Sequence, residues 1–435
     1  MKTVLGFDSW TGGAHNFARL VPAFRQFGLE LRLLHIGSWG GDVASPKEET
    51  IGELPVRDVS WYGGRSMVEI LDLESPTAVL FLSNDVFAHR AFNRYCALRG
   101  IPTIHLYHGL VEIQSTVGDR MYKVDPITQF FYVLKRMPKA LTRVWPLYAQ
   151  ALYQTHASFQ DWKRFTSDIV NLTVGKYIPV AAPDSQTNAC AVYAEADVGH
   201  AMKKYGYSRA DVHVVGNPDL CKFKLTDQLL GIANSTARTP NDEIVYIDTG
   251  LIYAGMVFAG PADFLAHLTD LAKILAVHGL KLATKLHPDH YRTNVPVEVN
   301  KRGIRVINDG DFVNSLLKCR AAMVEPSTAA LIPSLLGLPV LMVAFGKLQN
   351  QKYGKILMDY PRGALLTDAT AVMLNIVHIE KETKPEVDAW IKKNSGPLPA
   401  DEMPTRVAEI VWRVSRHWFT TGIGQARNGN DPSSS

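Results

Sequence analysis

The chain of 435 residues has few cysteines, little excess charge of either sign and no long apolar run. Its 4 cysteines, Cys96, Cys190, Cys221 and Cys319, are far apart and form no Cys-x-x-Cys pair, which argues against a zinc site or a disulfide framework. The 46 basic and 42 acidic residues nearly balance, so we do not expect a nucleic acid as partner. No stretch reaches the roughly 18 apolar residues that span a membrane.

The N-terminal stretch from Met1 to Asp8 contains too few apolar residues to form the core of a signal peptide. We therefore expect a cytoplasmic protein. Contact with the surface of the inner membrane stays compatible with this sequence. Such contact would use the basic and aromatic stretch between Lys123 and Arg143, but we favour a solvated helix face as the explanation of this stretch, because its basic residues are too few.

Apolar residues make up 46% of the chain, enough for two hydrophobic cores. In each half, short apolar runs alternate with helix-like stretches, which is the βαβ rhythm of a parallel sheet. Residues 223–241 lose this periodicity and gather Thr, Asn, Ser and Pro, so we predict a linker there. The pattern predicts Rossmann-like domains at 1–222 and 242–398, a helix at 399–421 that crosses back, and a disordered tail at 422–435.

The apolar runs also predict where the strands lie. In the first half, we predict strands at residues 3–7, 31–36, 78–82, 103–106, 190–194 and 212–215. In the second half, we predict them at 243–247, 280–286, 304–308, 321–324 and 340–344, and helices at 261–278, 312–319, 328–336 and 384–419. Two consecutive doubly wound domains predict an α/β fold of the GT-B type, whose domains face each other across a cleft. Such a fold alone names no reaction.

Two loops of the first half carry candidate binding residues. The loop after the first strand contains Gly12, Gly13 and His15 and opens a helix, whose free N–H groups suit an anionic or hydroxyl-rich ligand. An ordinary strand-to-helix turn explains this loop equally well. His108 ends a later strand at the expected cleft, where an imidazole can take a proton from a sugar hydroxyl. For His105 we favour a structural role.

In the second half, polar residues follow two strands near the domain junction. Asp248 directly follows an apolar strand, where a carboxylate can attack an anomeric carbon or stabilise the cation formed there. A turn-capping aspartate is the ordinary alternative. Lys285 and His287 project to the same side of the next strand, which Pro288 ends, and two such groups suit a phosphate leaving group.

A third strand of the second half is followed by Glu325, Ser327 and Thr328. The two hydroxyl residues are good helix N-caps, and the same helix start would present hydroxyls and N–H groups to a phosphate. His287 and His290 lack a third partner, so a metal site is not indicated. Because the phosphate-facing groups are Lys and His, and because we identify no Asp-x-Asp metal-diphosphate motif at a strand end, we expect a donor with one phosphate and no metal or other cofactor.

These motifs follow one another in the order Asp248, Lys285-Leu-His287-Pro288 and Glu325-Pro-Ser-Thr. In this order they resemble the motifs of bacterial transferases that build β-linked Kdo into capsule, O-antigen and lipopolysaccharide. The resemblance covers residues 243–346, and the first half matches only in architecture and at His108-Gly109. Bacterial sialyltransferases are similar more distantly, but their acidic Asp/Glu-Asp/Glu-Gly motif has no counterpart in the first half.

The resemblance implies a retaining glycosyltransferase that uses CMP-Kdo. Asp248 would attack the anomeric carbon, CMP would leave under Lys285 and His287, and a hydroxyl of a lipid-linked or oligosaccharide acceptor would displace the adduct. Residues implied in donor binding are Lys285, His287, Pro288, Glu325, Ser327 and Thr328. Two alternatives stay open: an inverting transferase of CMP-sialic acid, another activated sugar or a polyol phosphate, and a glycan-binding module without activity.

Overall fold

The computed structural model describes residues 1–8, 13–40, 46–109, 139–173, 182–234, 239–250, 257–379 and 384–420. Gly12, the predicted tail and most of the basic stretch between Lys123 and Arg143 lie outside these residues. Within the described part of the chain, no helix combines the length and apolar composition needed to cross a membrane.

The first half forms a sheet whose described strands are β1 (Lys2–Asp8), β2 (Leu29–His35), β3 (Glu48–Ile51), β4 (Leu54–Asp58), β5 (Ala78–Phe81), β6 (Thr103–Leu106), β7 (Ala189–Val192) and β8 (Val212–Val214). Their order is β3-β4-β2-β1-β5-β6-β7-β8. All pairs are parallel except the edge pair of β3 and β4. Strands β5, β6 and β7 are buried along their whole length, which explains the unbroken apolar sequences of β5 and β7; β6 also contains Thr103 and His105.

The second half forms a parallel sheet from β9 (Glu243–Ile247), β10 (Lys281–Lys285), β11 (Arg305–Val306), β12 (Ala321–Val324), β13 (Val340–Val343) and β14 (Gly363–Leu366). Their order is β11-β10-β9-β12-β13-β14. The direction of strand succession therefore reverses between β9 and β12. Such a switch point leaves a crevice at the carboxyl ends of the two strands, where ligands of α/β proteins bind.

Helices cover both sheets. In the first half they are α1 (Ala14–Ala18), α2 (Val21–Gln26), α3 (Gly37–Gly40), α4 (Met67–Glu74), α5 (Phe87–Leu98), α6 (Trp145–Gln154), α7 (Phe159–Thr173), α8 (Val198–Tyr205) and α9 (Asp219–Lys222). The later ones are α10 (Pro261–Val277), α11 (Val295–Lys301), α12 (Phe312–Lys318), α13 (Leu331–Leu335), α14 (Lys355–Met358), α15 (Val372–Ile379), α16 (Lys384–Asn394) and α17 (Met403–Thr420). Helix α17 packs against α2, β5 and β7. The end of the described chain thus returns to the first sheet.

The predicted strands are present to within two residues at each end, but the sequence patterns missed β3, β4 and β14. Strands β3 and β4 are rich in charge and contain Pro55, so they lack an apolar run. The helix predicted at 384–419 is two helices, α16 and α17, because the prolines between them cannot continue a helix. The helix predicted at 328–336 begins as a 3-10 turn, Thr328–Ala330, before α13.

Candidate functional site

A cavity of about 300 Å³ lies at the carboxyl ends of β9, β10 and β12. Its opposite wall comes from the first half of the chain, from helix α9 and Phe223. The ring of Phe223 packs on Phe312 of the second half, with 5.1 Å between the ring centroids. Both halves therefore build the cavity, and the switch point of the second sheet forms its floor.

The cavity brings together most of the residues predicted in the second half. Its lining includes Asp248, Lys285, His287, Pro288 and Ser327. These residues come from three separate loops, which meet because the carboxyl ends of parallel strands lie at one edge of the sheet.

Asp248 ties two of these loops together, and its side chain is only 1% exposed. Its Oδ1 accepts a hydrogen bond from the N–H of Gly250 at 2.8 Å. Its Oδ2 accepts one from the N–H of His287 at 2.8 Å and lies 3.1 Å from Nε2 of His290. The carboxylate thus fixes the loop after β9 against the loop after β10.

Gly250 allows the loop after β9 to lie close to the imidazole of His287. Its φ is +76°, and a Cβ at this position would lie 2.7 Å from the imidazole of His287. A side chain here would therefore both strain the backbone and push the imidazole away.

His287 presents a half-exposed imidazole to the cavity, with 37% of its side chain exposed. Its Nδ1 accepts a hydrogen bond from the N–H of Asp289 at 3.3 Å, so the neutral ring carries its proton on Nε2. Burial lowers the pKa of His287, which keeps the ring neutral near pH 7. The side chain can therefore donate an Nε2–H to a phosphate oxygen.

Lys285 is nearly buried, with 6% of its side chain exposed. Its Nζ donates to the carbonyl of Leu286 at 3.0 Å and lies 2.8 Å from Oδ1 of Asp309, a residue that also lines the cavity. The hydrogen bond from Lys285 lowers the pKa of Asp309. Sequence reasoning missed Asp309, although Asp309-Gly-Asp311 is an Asp-x-Asp pattern that directly follows the strand predicted at 304–308.

Ser327 caps the turn that follows β12. Its Oγ accepts a hydrogen bond from the N–H of Ala330 at 3.3 Å, and the residue also lines the cavity, so capping and ligand contact are compatible. The side chain of Thr328 lies outside the described part of the structure. From the first half, Asp219 and Lys222 reach the cavity, and neither was predicted because their helix, α9, has no motif.

The sequence predicted that Glu325 contacts the donor. In the structure, Glu325 is instead fully buried beneath the cavity. It accepts hydrogen bonds from the hydroxyl of Tyr246 and from the N–H and hydroxyl of Thr249, the last two at 3.1 and 2.6 Å. Burial and the nearby charge of Asp248 raise the pKa of Glu325. Glu325 therefore supports the loop after β9 and does not contact a ligand.

His108, at the end of β6, has an exposed side chain. Its Nδ1 lies 3.0 Å from the carbonyl oxygen of Leu82. Because a carbonyl oxygen only accepts hydrogen bonds, Nδ1 carries the proton and Nε2 keeps its lone pair. His105 is buried, and burial lowers its pKa to about 3, in line with a structural role.

The first loop is only partly described. Gly13 lies against the Asp8 carboxylate, which a Cβ at this position would overlap, and His15 is exposed on α1. The described residues that line the 300 Å³ cavity do not include Gly13, His15 or His108. Across the described ranges, no group of three or more His, Cys, Asp and Glu side chains is arranged to hold a metal ion.

No protein-family model and no curated protein matches the chain. Solved structures are similar to the chain over most of its length. The calicheamicin glycosyltransferase CalG4 is 12% identical, with 95% of this chain and 98% of that chain covered and a TM-score of 0.51. An S. aureus MnaA structure with UDP is 14% identical over 94% and 95% of the two chains, at a TM-score of 0.45. The wall teichoic acid polymerase TagF, soaked with CDPG, is 10% identical, with 96% of this chain and 90% of that chain covered and a TM-score of 0.48.

At these identities the likeness concerns the fold alone. The two doubly wound sheets, together with the likeness to CalG4, confirm the predicted class: the chain has the α/β GT-B fold.

Proposed function

We propose that this chain is a glycosyltransferase whose nucleotide-activated donor places its phosphate in the cavity between the two halves. The observation that carries the proposal is the convergence of Lys285 and His287, from the end of β10, with Ser327, from the loop after β12, in a cavity that Lys222 of the first half also lines. Ammonium groups, the Nε2–H of His287 and a hydroxyl are donors suited to the negative charge that grows on a departing phosphate. The same fold occurs in CalG4, which is a glycosyltransferase.

For the donor we propose CMP-Kdo, and for the acceptor a sugar hydroxyl of a bacterial surface glycan, on the basis of the sequence resemblance. In the first step, a carboxylate oxygen of Asp248 bonds to the anomeric carbon while the bond to the CMP oxygen breaks. In the second, Nε2 of His108 takes the proton of the acceptor hydroxyl, whose oxygen displaces the carboxylate. Two inversions give retention.

The second candidate is an inverting transferase of another activated sugar or polyol phosphate. The burial of Asp248, with hydrogen bonds to both of its oxygens, favours this alternative. Asp248 would then position His287, and the acceptor would attack the donor directly.

Mass spectrometry separates the two routes. Incubation of the wild-type protein with CMP-Kdo, without acceptor, should place a Kdo mass on the peptide that contains Asp248. Asp248→Asn should carry no adduct, because the amide is similar in size to the carboxylate but is not a nucleophile. Asp270→Asn, an exposed acid on α10, is the matched control and should behave as wild type.

An inverted product anomer would exclude double displacement. Release of the nucleotide from a different donor, and not from CMP-Kdo, would replace the proposed substrate. Binding of a glycan without turnover of any donor would favour the non-enzymatic alternative.

We also propose that turnover needs no divalent metal, because Lys285 and His287 in the cavity supply an ammonium and an N–H donor for the leaving phosphate. Activity should be unchanged in excess EDTA. Full loss that Mg²⁺ or Mn²⁺ restores would contradict this.

A further inference from the structure

The ion pair of Lys285 and Asp309 joins a nearly buried lysine to an exposed aspartate. Lys285 lies within β10 and is 6% exposed, whereas Asp309 is 58% exposed on the short turn Asp309–Asp311, and both line the same cavity. The carboxylate oxygen stands 2.8 Å from Nζ. This is the distance at which a phosphate oxygen binds a lysine.

The two partners differ in how firmly they are held. The Lys285 ammonium is fixed by its strand and by its hydrogen bond to the carbonyl of Leu286. Asp309 follows the two-residue strand β11 on an exposed turn, so its side chain can rotate into solvent without opening the core. The positive site therefore stays in place when its partner leaves.

We infer that Asp309 is an internal substitute for the donor phosphate on Lys285, which the phosphate displaces when the donor binds and which returns when the nucleotide product leaves. This inference rests on the proposed donor site. Asp309 then sets the affinity of the site for the nucleotide product. Its negative charge pairs with Lys285 in the empty site and so lowers that affinity. Turnover then gains from faster release of that product.

Calorimetry with CMP, cytidine and inorganic phosphate tests this, in one series with EDTA and in a second series with Mg²⁺. Asp309→Asn should bind CMP and inorganic phosphate about tenfold more tightly than wild type, because the competing charge is gone. Binding of cytidine, which has no phosphate, should be unchanged. Asp311→Asn, on the same turn, is the matched control and should bind as wild type, as should Asp309→Glu, which keeps a carboxylate.

A second arm uses product inhibition. If CMP-Kdo is the donor, Asp309→Asn should lower the inhibition constant of CMP by the same factor as its dissociation constant. Inorganic phosphate keeps the inference testable without that donor. If wild type does not bind CMP, yet phosphate binds more tightly to Asp309→Asn, CMP-Kdo is excluded as the donor, and the inference stands for a donor with another nucleotide.

Four results would overturn the inference. Unchanged phosphate affinity in Asp309→Asn would make the pair purely structural. Weaker binding of both CMP and cytidine would mean that Asp309 binds the ribose. CMP binding that depends on Mg²⁺ and is lost in Asp309→Asn would make Asp309 a metal ligand. Failure of both wild type and variant to bind phosphate, with thermal unfolding showing both folded, would remove the phosphate site itself.

Discussion

His108 and His287 are held in opposite tautomers. The carbonyl of Leu82 fixes the proton of His108 on Nδ1, whereas the N–H of Asp289 leaves the proton of His287 on Nε2. Nε2 is therefore an acceptor in the first imidazole and a donor in the second. A transfer reaction needs both: a base for the acceptor hydroxyl and a donor for the leaving phosphate.

We predict that His287→Ala lowers turnover at saturating donor about 100-fold or more, since it removes a hydrogen-bond donor to the leaving group. His287→Gln should recover part of the rate, because an amide can donate. His278→Ala, an exposed histidine that follows α10, is the control. A rate for His287→Ala equal to that of the control would remove His287 from the reaction.

His108→Ala should impair transfer to the acceptor and spare slow hydrolysis of the donor, because water needs no base on the acceptor side. His108→Gln should not rescue transfer, since an amide is not a base. The ratio of sugar transfer to hydrolysis, measured on one sample, is its own control. An equal fall of both reactions would show that His108 does not act on the acceptor.

Gly250→Ala should destabilise the protein and lower turnover, because the methyl group meets the His287 imidazole at a positive φ. Gly279→Ala, at φ +71° and with no neighbouring atom within 4 Å, carries a similar backbone penalty of about 1 kcal/mol without the contact. Urea unfolding and turnover of the two variants separate backbone strain from displacement of His287. Equal losses of turnover would contradict the prediction.

The buried carboxyl of Glu325 should make stability depend on pH. Burial and the charge of Asp248 raise its pKa above the ordinary value of 4.5, so the folded protein keeps a proton that the unfolded chain releases. Stability should therefore fall as the pH rises from 4.5 towards the raised value. Urea unfolding between pH 5 and 8 should show that Glu325→Gln loses this contribution. A difference between wild type and variant that does not change with pH would refute it.

The periodicity of apolar residues predicted eleven of the fourteen described strands, because most buried parallel strands are rich in apolar residues whatever their neighbours. The rule that ligands bind at strand carboxyl ends then pointed to Asp248, Lys285, His287 and Ser327, which the structure brings to one cavity. Strands β3 and β4 escaped prediction because charge and proline replace apolar residues there.

The sequence by itself determined the α/β architecture and the edge of the sheet at which polar residues gather. Only the tertiary structure decided which of those residues meet the cavity. Glu325 and Asp309 both follow predicted strands, yet Glu325 is buried under Tyr246 and Thr249, whereas Asp309 reaches Lys285. The reason is that strand order places β11 beside β10, and no pattern within either strand records which strand becomes its neighbour.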